Sequence, residues 1–246
     1  MRFISQTTAD GVSENLFTVN DVPGVLWTPA HSTDRRPVVL LGHGGGQHKQ
    51  APGVVARARR YVARGFAAVA LDAPGHGDRP RTEQDERFAA ELRAMMAAGE
   101  PVGPLVARHN GGLAAQAVPE WQALLDDLAE SGRLGPVGFW GVSLGSAVGV
   151  RLAAAEPRVR AAVFGLVGYA LAEDAARVTV PIEFLLQWDD ELVPRGSCLA
   201  LFDAFASAEK TLHANSGRHM DVPAHELDSA ERFFTRHLLT EESVTG

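Results

Sequence analysis

Short apolar runs alternate along the chain with segments whose apolar residues recur at helical spacing. A short continuous apolar run is typical of a strand buried on both faces, whereas apolar positions three and four residues apart indicate a helix with one buried face. This pattern predicts strands at residues 16–19, 24–28, 37–41, 66–71, 137–140, 161–167, 180–188 and 210–214. It predicts helices at residues 54–64, 118–130, 144–155, 198–206 and 224–238.

Strand–helix alternation with short connections is typical of a sheet covered by helices on both faces. The sequence therefore predicts the α/β class, with a doubly wound, mostly parallel sheet. We find no internal repeat and no low-complexity linker in the sequence. We therefore expect a single domain over residues 1–246.

Residues 79–117 interrupt this rhythm. They follow the predicted strand that ends near Asp72, and they are too numerous for a simple connection. A charged run opens the segment, an apolar helix with Phe88, Met95 and Met96 follows, and glycine and proline are frequent after that. We expect a helical insertion that acts as a lid over a binding site. A surface excursion with no role in binding is the alternative.

Composition and charge exclude several classes of protein. The formal net charge of −7 over 246 residues argues against a nucleic-acid binder, which usually presents a basic face. A single cysteine, Cys198, excludes an internal disulfide framework and a multi-cysteine zinc site. The first ten residues lack the apolar run of a signal peptide, and no stretch has the length of a membrane span. We expect a cytoplasmic protein without membrane contact.

A serine lies at the junction between a predicted strand and a predicted helix. The sequence Gly141-Val142-Ser143-Leu144-Gly145 has the pattern G-x-S-x-G. A sharp strand-to-helix turn exposes the hydroxyl at the edge of the sheet, and the N–H groups of the helix point towards the same place. The pattern therefore predicts Ser143 as a nucleophile. A serine that only caps the helix is the alternative.

A nucleophilic serine needs a general base, and nine histidines are available. His219 lies in a loop between the last predicted strand and the final predicted helix, at the sheet edge expected for Ser143. His109 belongs to the insertion and stays open as an alternative base. Other histidines occupy strand, helix or turn positions that favour different roles, namely His31, His213, His225 and His237.

Acidic residues follow the predicted strand at 180–188. Asp189 and Asp190 both stand at its carboxyl end, at the same sheet edge as Ser143 and His219. A carboxylate there would orient the base and stabilise its protonated form. Position alone does not separate Asp189 from Asp190.

Four segments together give the chain a recognisable pattern. They are His43-Gly44-Gly45-Gly46 with Lys49 shortly after, Asp72-Ala73-Pro74-Gly75-His76-Gly77, the G-x-S-x-G segment, and Asp190-Glu191-Leu192-Val193-Pro194 followed by Gly217-Arg218-His219. With them, and with the order Ser, Asp, His, the chain resembles the α/β-hydrolase superfamily. Within it, the chain is similar to small bacterial serine esterases related to dienelactone hydrolases and prolyl-oligopeptidase-like esterases. The resemblance runs from about residue 24 to the C-terminus.

The resemblance implies roles for particular residues. In these families the acid commonly opens a D-x-x-V-P pattern, which implies Asp190 and leaves Asp189 as a neighbour. The resemblance also implies an oxyanion hole made by the backbone N–H groups of Gly45 and Leu144, with Gly46 as a substitute donor. The mechanism it implies needs no cofactor.

The glycine run at residues 44–46 has other interpretations that the sequence disfavours. It lacks the glycine–lysine pair of a phosphate loop. His43, His48 and His76 could hold a metal ion but lack the spacing of a metal-ligand motif, so we expect no metal. We expect His43 to brace the glycine loop by hydrogen bonding.

The residues of a substrate pocket are weakly marked. Candidates for the lining are Trp140, Met95, Met96, Trp188 and Met220. Core packing is the alternative for Trp140, and the two insertion methionines depend on how residues 79–117 fold. One departure from the family pattern lies nearby, because Gln187 stands where glycine is often found before the acid loop.

These residues predict a serine hydrolase that cleaves a small or medium carboxylic ester through an acyl-enzyme intermediate. A thioesterase or a lactone hydrolase would use the same residues. The alternative from another class is a non-catalytic ligand-binding protein that shares the fold. We expect a small-molecule ester as the partner, no nucleic acid, and a monomer or homodimer.

Overall fold

Across the described residues, nine strands form one sheet in the order β1-β2-β3-β5-β4-β6-β7-β8-β9. The computed structural model describes residues 1–30 and 32–239, so His31 lies outside the described residues. The strands are β1 (Arg2–Ala9), β2 (Val12–Val19), β3 (Val22–Pro29), β4 (Arg36–Gly42), β5 (Ala67–Leu71), β6 (Leu134–Gly141), β7 (Val159–Gly165), β8 (Ile182–Gln187) and β9 (Lys210–Asn215).

The sheet is antiparallel at one end and parallel over the rest. β1, β2 and β3 form an antiparallel meander, and β3 pairs antiparallel with β5. β5, β4, β6, β7, β8 and β9 all run parallel. The interior strands β4, β5 and β8 are buried on both faces, which explains their continuous apolar sequences. The predicted mostly parallel α/β sheet is confirmed.

Helices cover both faces of the sheet. α1 (Pro52–Ala63) and α7 (His225–Leu238) pack on one face. The other face carries α3 (Gly103–Glu130), α4 (Leu144–Ala155), the single turn α5 (Ala172–Ala175) and α6 (Arg195–Ala204). Each face therefore has its own apolar cluster. None of the helices within residues 1–30 and 32–239 has both the length and the apolarity needed to cross a bilayer.

Strand β1 was not predicted, for a physical reason. All eight of its residues are exposed, so its sequence shows neither an apolar run nor the alternation of a half-buried strand. It pairs with β2 at the edge of the sheet, and the register shifts between Phe3 and Ser5. Backbone pairing with β2 holds this strand, together with side-chain contacts such as the edge-to-face pair of Phe3 and Phe17.

The insertion is a pair of helices. Residues 79–117 contain α2 (Glu83–Ala98) and the first half of α3, which continues to Glu130 as one helix of 28 residues. The sequence predicts only its second half, residues 118–130. α2 begins with a capping box at Thr82 and ends at Gly99 in the left-handed conformation. No residue of α2 is fully buried, whereas α3 buries leucines, alanines and Trp121 against the sheet.

Candidate active site

Ser143 stands on a sharp turn between β6 and α4. Its φ of 55° and ψ of −118° lie in a region that residues other than glycine rarely adopt. The turn packs tightly on β4, because a β-carbon on Gly145 would lie 2.5 Å from the carbonyl oxygen of Gly42. A β-carbon on Gly141 would lie 2.6 Å from the Gly145 carbonyl carbon. The two glycines of the G-x-S-x-G pattern are therefore steric requirements of this turn.

Ser146, in the first turn of α4, holds the Ser143 turn in place, a role that the sequence did not reveal. Its buried hydroxyl lies 2.6 Å from the carbonyl oxygen of Gly141 and 2.8 Å from that of Gly165, and it accepts a hydrogen bond from Gly165 N–H at 2.7 Å. The Ser143 N–H donates to Gly165 O at 2.9 Å. These contacts join the ends of β6 and β7, and they hold Ser143 in its strained conformation.

His219 and Asp190 meet at the carboxyl end of the sheet. The His219 Nδ1 atom lies 2.8 Å from Asp190 Oδ2, and both side chains are almost fully buried. The N–H groups of Leu192 and Val193 each donate to Asp190 Oδ1 at 2.8 Å. Burial alone would raise the pKa of the Asp190 carboxyl, but the hydrogen bonds from His219 and from these backbone groups outweigh it and hold that pKa below its ordinary value.

Two further side chains position the histidine loop. Glu191 Oε2 accepts a hydrogen bond from the backbone N–H of His219 at 3.0 Å, and this bond lowers the pKa of Glu191. Gln187 donates from Nε2 to the carbonyl oxygen of Arg218 at 3.2 Å. The departure from the family pattern at Gln187 thus has a structural role, since the amide ties the end of β8 to the loop that carries His219.

The glycine loop after β4 is braced by His43. The Ala73 N–H donates to His43 Nε2 at 3.0 Å, so the ring proton lies on Nδ1, which donates to Gly44 O at 2.9 Å. Burial lowers the pKa of His43 to about 4, so the ring is neutral at pH 7. In a trans peptide the C=O and the next N–H point in opposite directions. The Gly45 N–H therefore points away from His43.

A buried ion pair holds the same loop to the end of β5. Lys49 Nζ lies 2.7 Å from Asp72 Oδ2 and 2.6 Å from Asp78 Oδ2, and the Lys49 backbone N–H donates to Asp72 Oδ1 at 2.8 Å. Burial opposes both charges, but the pair and its hydrogen bonds raise the pKa of Lys49 and lower that of Asp72. Arg79 adds a bidentate contact with Glu120 of α3 at 2.8 Å.

The chain is similar over almost its whole length to a solved esterase. A cold-adapted esterase from an Arctic intertidal metagenomic library, in a PEG-bound complex, is 34% identical, with a TM-score of 0.78. The match covers 97% of this chain and 100% of that chain. The chain belongs to the α/β-hydrolase superfamily. A zinc-bound structure of a cold-adapted esterase from an Arctic intertidal metagenomic library is 32% identical, with a TM-score of 0.72 and coverage of 97% of this chain and 100% of that chain.

More distant solved structures share the α/β-hydrolase fold. An acetyl xylan esterase from Paenibacillus sp. R4 is 14% identical, with a TM-score of 0.69 and coverage of 96% of this chain and 88% of that chain. A dienelactone hydrolase from Anabaena variabilis is 18% identical, with a TM-score of 0.62 and coverage of 95% and 98%. No protein-family model and no curated protein matches the chain. The esterase relationship supports hydrolase activity on ester-type bonds.

Other predicted site residues of this α/β-hydrolase lie in varied surroundings. Asp189 is exposed, and its backbone N–H donates to Gly217 O at 3.1 Å. The ring of His109 stacks on that of Phe88 within the insertion, with the ring centroids 3.7 Å apart. The His109 Nε2 atom lies 3.9 Å from Asp85 Oδ1. His109 therefore has its partners on α2, whereas His219 has them on the acid loop that follows β8.

The candidate pocket residues are scattered. Trp140 is only 6% exposed and packs in the apolar cluster on the α1 and α7 face, with the Arg57 guanidinium 3.4 Å above its ring. That position favours the core role for Trp140. Met95 is half-buried and Met96 is exposed on α2. Met220 is exposed directly beside His219, and the exposed Trp188 stands two residues before Asp190.

Proposed function

We propose that this α/β-hydrolase is a serine carboxylesterase that cleaves small or medium esters through an acyl-enzyme intermediate. The observation that carries the proposal is the buried His219–Asp190 pair at the sheet edge where the strained turn presents Ser143. A capping serine needs neither the strained backbone nor an oriented histidine nearby. The combination is the one that nucleophilic catalysis by serine requires.

In the proposed mechanism, His219 Nε2 takes the proton of the Ser143 hydroxyl as the oxygen attacks the ester carbonyl. Asp190 accepts the Nδ1–H hydrogen bond, fixes the tautomer that leaves Nε2 free to act as the base, and stabilises the imidazolium. His219 then gives its proton to the departing alkoxide, and the alcohol leaves. Water attacks the acyl-enzyme with His219 again as base, and the carboxylic acid is released.

The negative charge on the carbonyl oxygen needs donors that are in place before the reaction. Leu144 is the first residue of α4, where N–H groups lack an acceptor within the helix. Gly45 is exposed, and its N–H points away from the His43 brace. We propose these two groups as the oxyanion hole, with Gly46 as a substitute for Gly45.

The insertion is proposed as a lid. The start of α3 abuts the acid loop, since a β-carbon on Gly103 would clash with the carbonyl oxygen of Leu192. α2 packs only loosely, which suits an element that moves when substrate enters. Met220 and Trp188 offer apolar surface beside the acid and histidine loops and would contact the acyl or alcohol group.

Ser143→Ala tests the proposal. We expect it to lower kcat for a chromogenic short-chain ester by at least about 10⁴-fold, because the nucleophile is lost. The melting temperature should stay near that of the wild type. Ser216→Ala, which changes an exposed serine in the His219 loop, is the matched control and should keep full activity.

A second measurement separates the enzyme from a binding protein of the same fold. A fluorophosphonate probe should label the wild type at Ser143 and leave Ser143→Ala unlabelled. Labelling with no turnover of esters, thioesters or lactones would leave the nucleophile in place but contradict the ester-hydrolase assignment. Retention of both labelling and turnover in Ser143→Ala would refute the mechanism.

A further inference from the structure

A second polar cluster lies under the face of the sheet that α7 covers. Glu183 of β8, His213 of β9 and Glu226 of α7 each place a carboxylate oxygen or ring nitrogen within 4.8 Å of the other two. Both glutamates are only 4% exposed. This cluster, called here the Glu–His–Glu cluster, is separate from Ser143, His219 and Asp190.

Among the described residues, the contacts of the cluster leave one carboxylate oxygen without a hydrogen-bond partner. His213 Nδ1 lies 2.7 Å from Glu226 Oε2, and its Nε2 lies 3.8 Å from Glu183 Oε2. Ser229 donates to Glu183 Oε2 at 2.9 Å, and Asn215 donates to Glu226 Oε1 at 2.8 Å. The other oxygen, Glu183 Oε1, is buried and has no hydrogen-bond partner among the described residues. An unsatisfied buried carboxylate oxygen is costly and calls for a missing partner.

The charge of the cluster points in the same direction. Two buried carboxylates face the His213 imidazole, and the exposed His225 ring places its Nε2 3.6 Å from Glu226 Oε1. Arg232 is a further positive charge that acts on Glu183 from α7. A divalent cation would neutralise both carboxylates and supply the absent partner of Oε1.

We propose that the Glu–His–Glu cluster is a structural binding site for a divalent transition metal, with Zn²⁺ as the fitting ion. One imidazole nitrogen with two carboxylate oxygens is a donor set that Zn²⁺ accepts, at about 2.0–2.2 Å. Atoms within 4.8 Å of one another need to move by less than about 1 Å to reach those bond lengths. Water would complete the coordination.

The proposed ion would clamp three elements together. Glu183 and His213 lie on neighbouring parallel strands, and Glu226 lies in the first turn of α7. β9 continues from His213 through Asn215 into the loop that carries His219. The ion would therefore stabilise the underside of that loop without taking part in the ester cleavage.

Calorimetric titration of EDTA-treated, dialysed protein with ZnCl₂ tests the site. We expect one zinc ion per chain in the wild type and a higher melting temperature in its presence. Glu183→Gln and His213→Gln should each weaken binding by at least about 10-fold. Glu130→Gln, an exposed glutamate at the end of α3, is the matched control and should bind as the wild type does.

A crystal soaked in ZnCl₂ and measured at the zinc absorption edge gives the location independently of any variant. An anomalous peak between Glu183, His213 and Glu226 would support the proposal even if a variant failed to fold. His219→Ala should keep full zinc binding, since His219 lies outside the cluster. The proposal is overturned if the wild type binds no zinc, if Glu183→Gln binds as tightly as the wild type, or if the peak lies only at His219.

Discussion

The carboxyl edge of the sheet and the insertion at residues 79–117 are held in place by different means. At the edge, the Ser143 N–H donates to the backbone of Gly165, while Asp190 accepts hydrogen bonds from two N–H groups of its own loop and from His219. Glycines there pack without space for a β-carbon. In the insertion, α2 touches α3 through half-buried side chains, including the Phe88–His109 stack.

The sheet edge is therefore held more rigidly than the insertion. Buried polar contacts at the edge are directional, so a small displacement breaks them and leaves an unsatisfied group. Helix-to-helix contacts in the insertion are few and largely exposed, so they tolerate shifts. We therefore expect substitutions at the edge to act strongly and those in the insertion to act weakly.

The largest effect is expected for Asp190→Asn. An amide there cannot hold the His219 tautomer in which Nδ1 carries the proton, because its NH₂ group would compete as a donor. We expect kcat to fall by about 10⁴-fold with little change in KM. Steady-state kinetics on a chromogenic ester measure this. Asp189→Asn, at the exposed neighbour, should stay within a few-fold of the wild type, and a comparable loss there would reverse the assignment of the acid.

Asp72→Asn is expected to have the largest effect on stability. It leaves the Lys49 ammonium buried with only the exposed Asp78 as partner, at a cost of about 3 kcal/mol. Urea unfolding measures the change. Glu83→Gln breaks the exposed pair with Arg87 on α2 and should cost less than about 0.5 kcal/mol. Equal losses of stability in the two variants would contradict the expectation that substitutions at the edge act more strongly than those in the insertion.

The same pair fixes a pH dependence. The folded-state pKa of Asp72 is lowered from its ordinary 3.8, so its carboxylate stabilises the fold fully above that pH. The contribution is lost as the pH falls from 3.8 through the lower folded-state pKa. The stability difference between wild type and Asp72→Asn should therefore shrink below pH 3.8.

Two glycine-to-alanine substitutions should change the stability of the fold in opposite directions. Gly145→Ala drives a β-carbon against the Gly42 backbone, which cannot retreat within the sheet, and should destabilise the fold by about 1–3 kcal/mol and reduce activity. Gly112→Ala meets no atom within 4 Å in α3 and should stabilise by about 0.5–1 kcal/mol. Melting curves of both variants measure these changes. Destabilisation by Gly112→Ala would mean that α3 packs more closely around Gly112 than the structure shows.

The smallest effect on the melting temperature is expected for Thr82→Ala at the start of α2. Loss of the capping box should cost about 1 kcal/mol, but only locally, because α2 buries no residue completely. Hydrogen exchange should quicken over residues 83–98 while the melting temperature stays the same. Thr82→Ser keeps the cap and should exchange like the wild type. A drop in the melting temperature would mean that α2 unfolds with the whole domain.

The sequence predicts an element correctly where its residues all indicate the same local structure. α4 was predicted with the bounds Leu144–Ala155 that the structure gives, because the G-x-S-x-G turn marks its start. The first half of α3 was missed, since Gly111 and Gly112 both argue against a helix interior. Burial of Leu113 and Trp121 in the apolar cluster on this face of the sheet outweighs these local preferences.

The supporting contacts of the site could not be predicted for a related reason. Ser146, Glu191 and Gln187 act on backbone groups of Gly165, His219 and Arg218, which are distant in sequence. Almost any residue can offer a backbone N–H or C=O group, so the side chain of the partner residue gives no sign of such a hydrogen bond. Only the three-dimensional placement of the loops reveals these residues, although their polarity next to apolar strands is an available signal.

The position of β4 has a consequence for how the protein is made. β4 lies between β5 and β6 in the sheet, and Val38 pairs with Val137, far along the chain. During synthesis, β1 to β5 can assemble while the apolar edge of β4 stays bare until the insertion and β6 have left the ribosome. During that interval an unpaired apolar strand is open to pairing with other chains, which makes the incomplete polypeptide more prone to aggregation than the finished sheet.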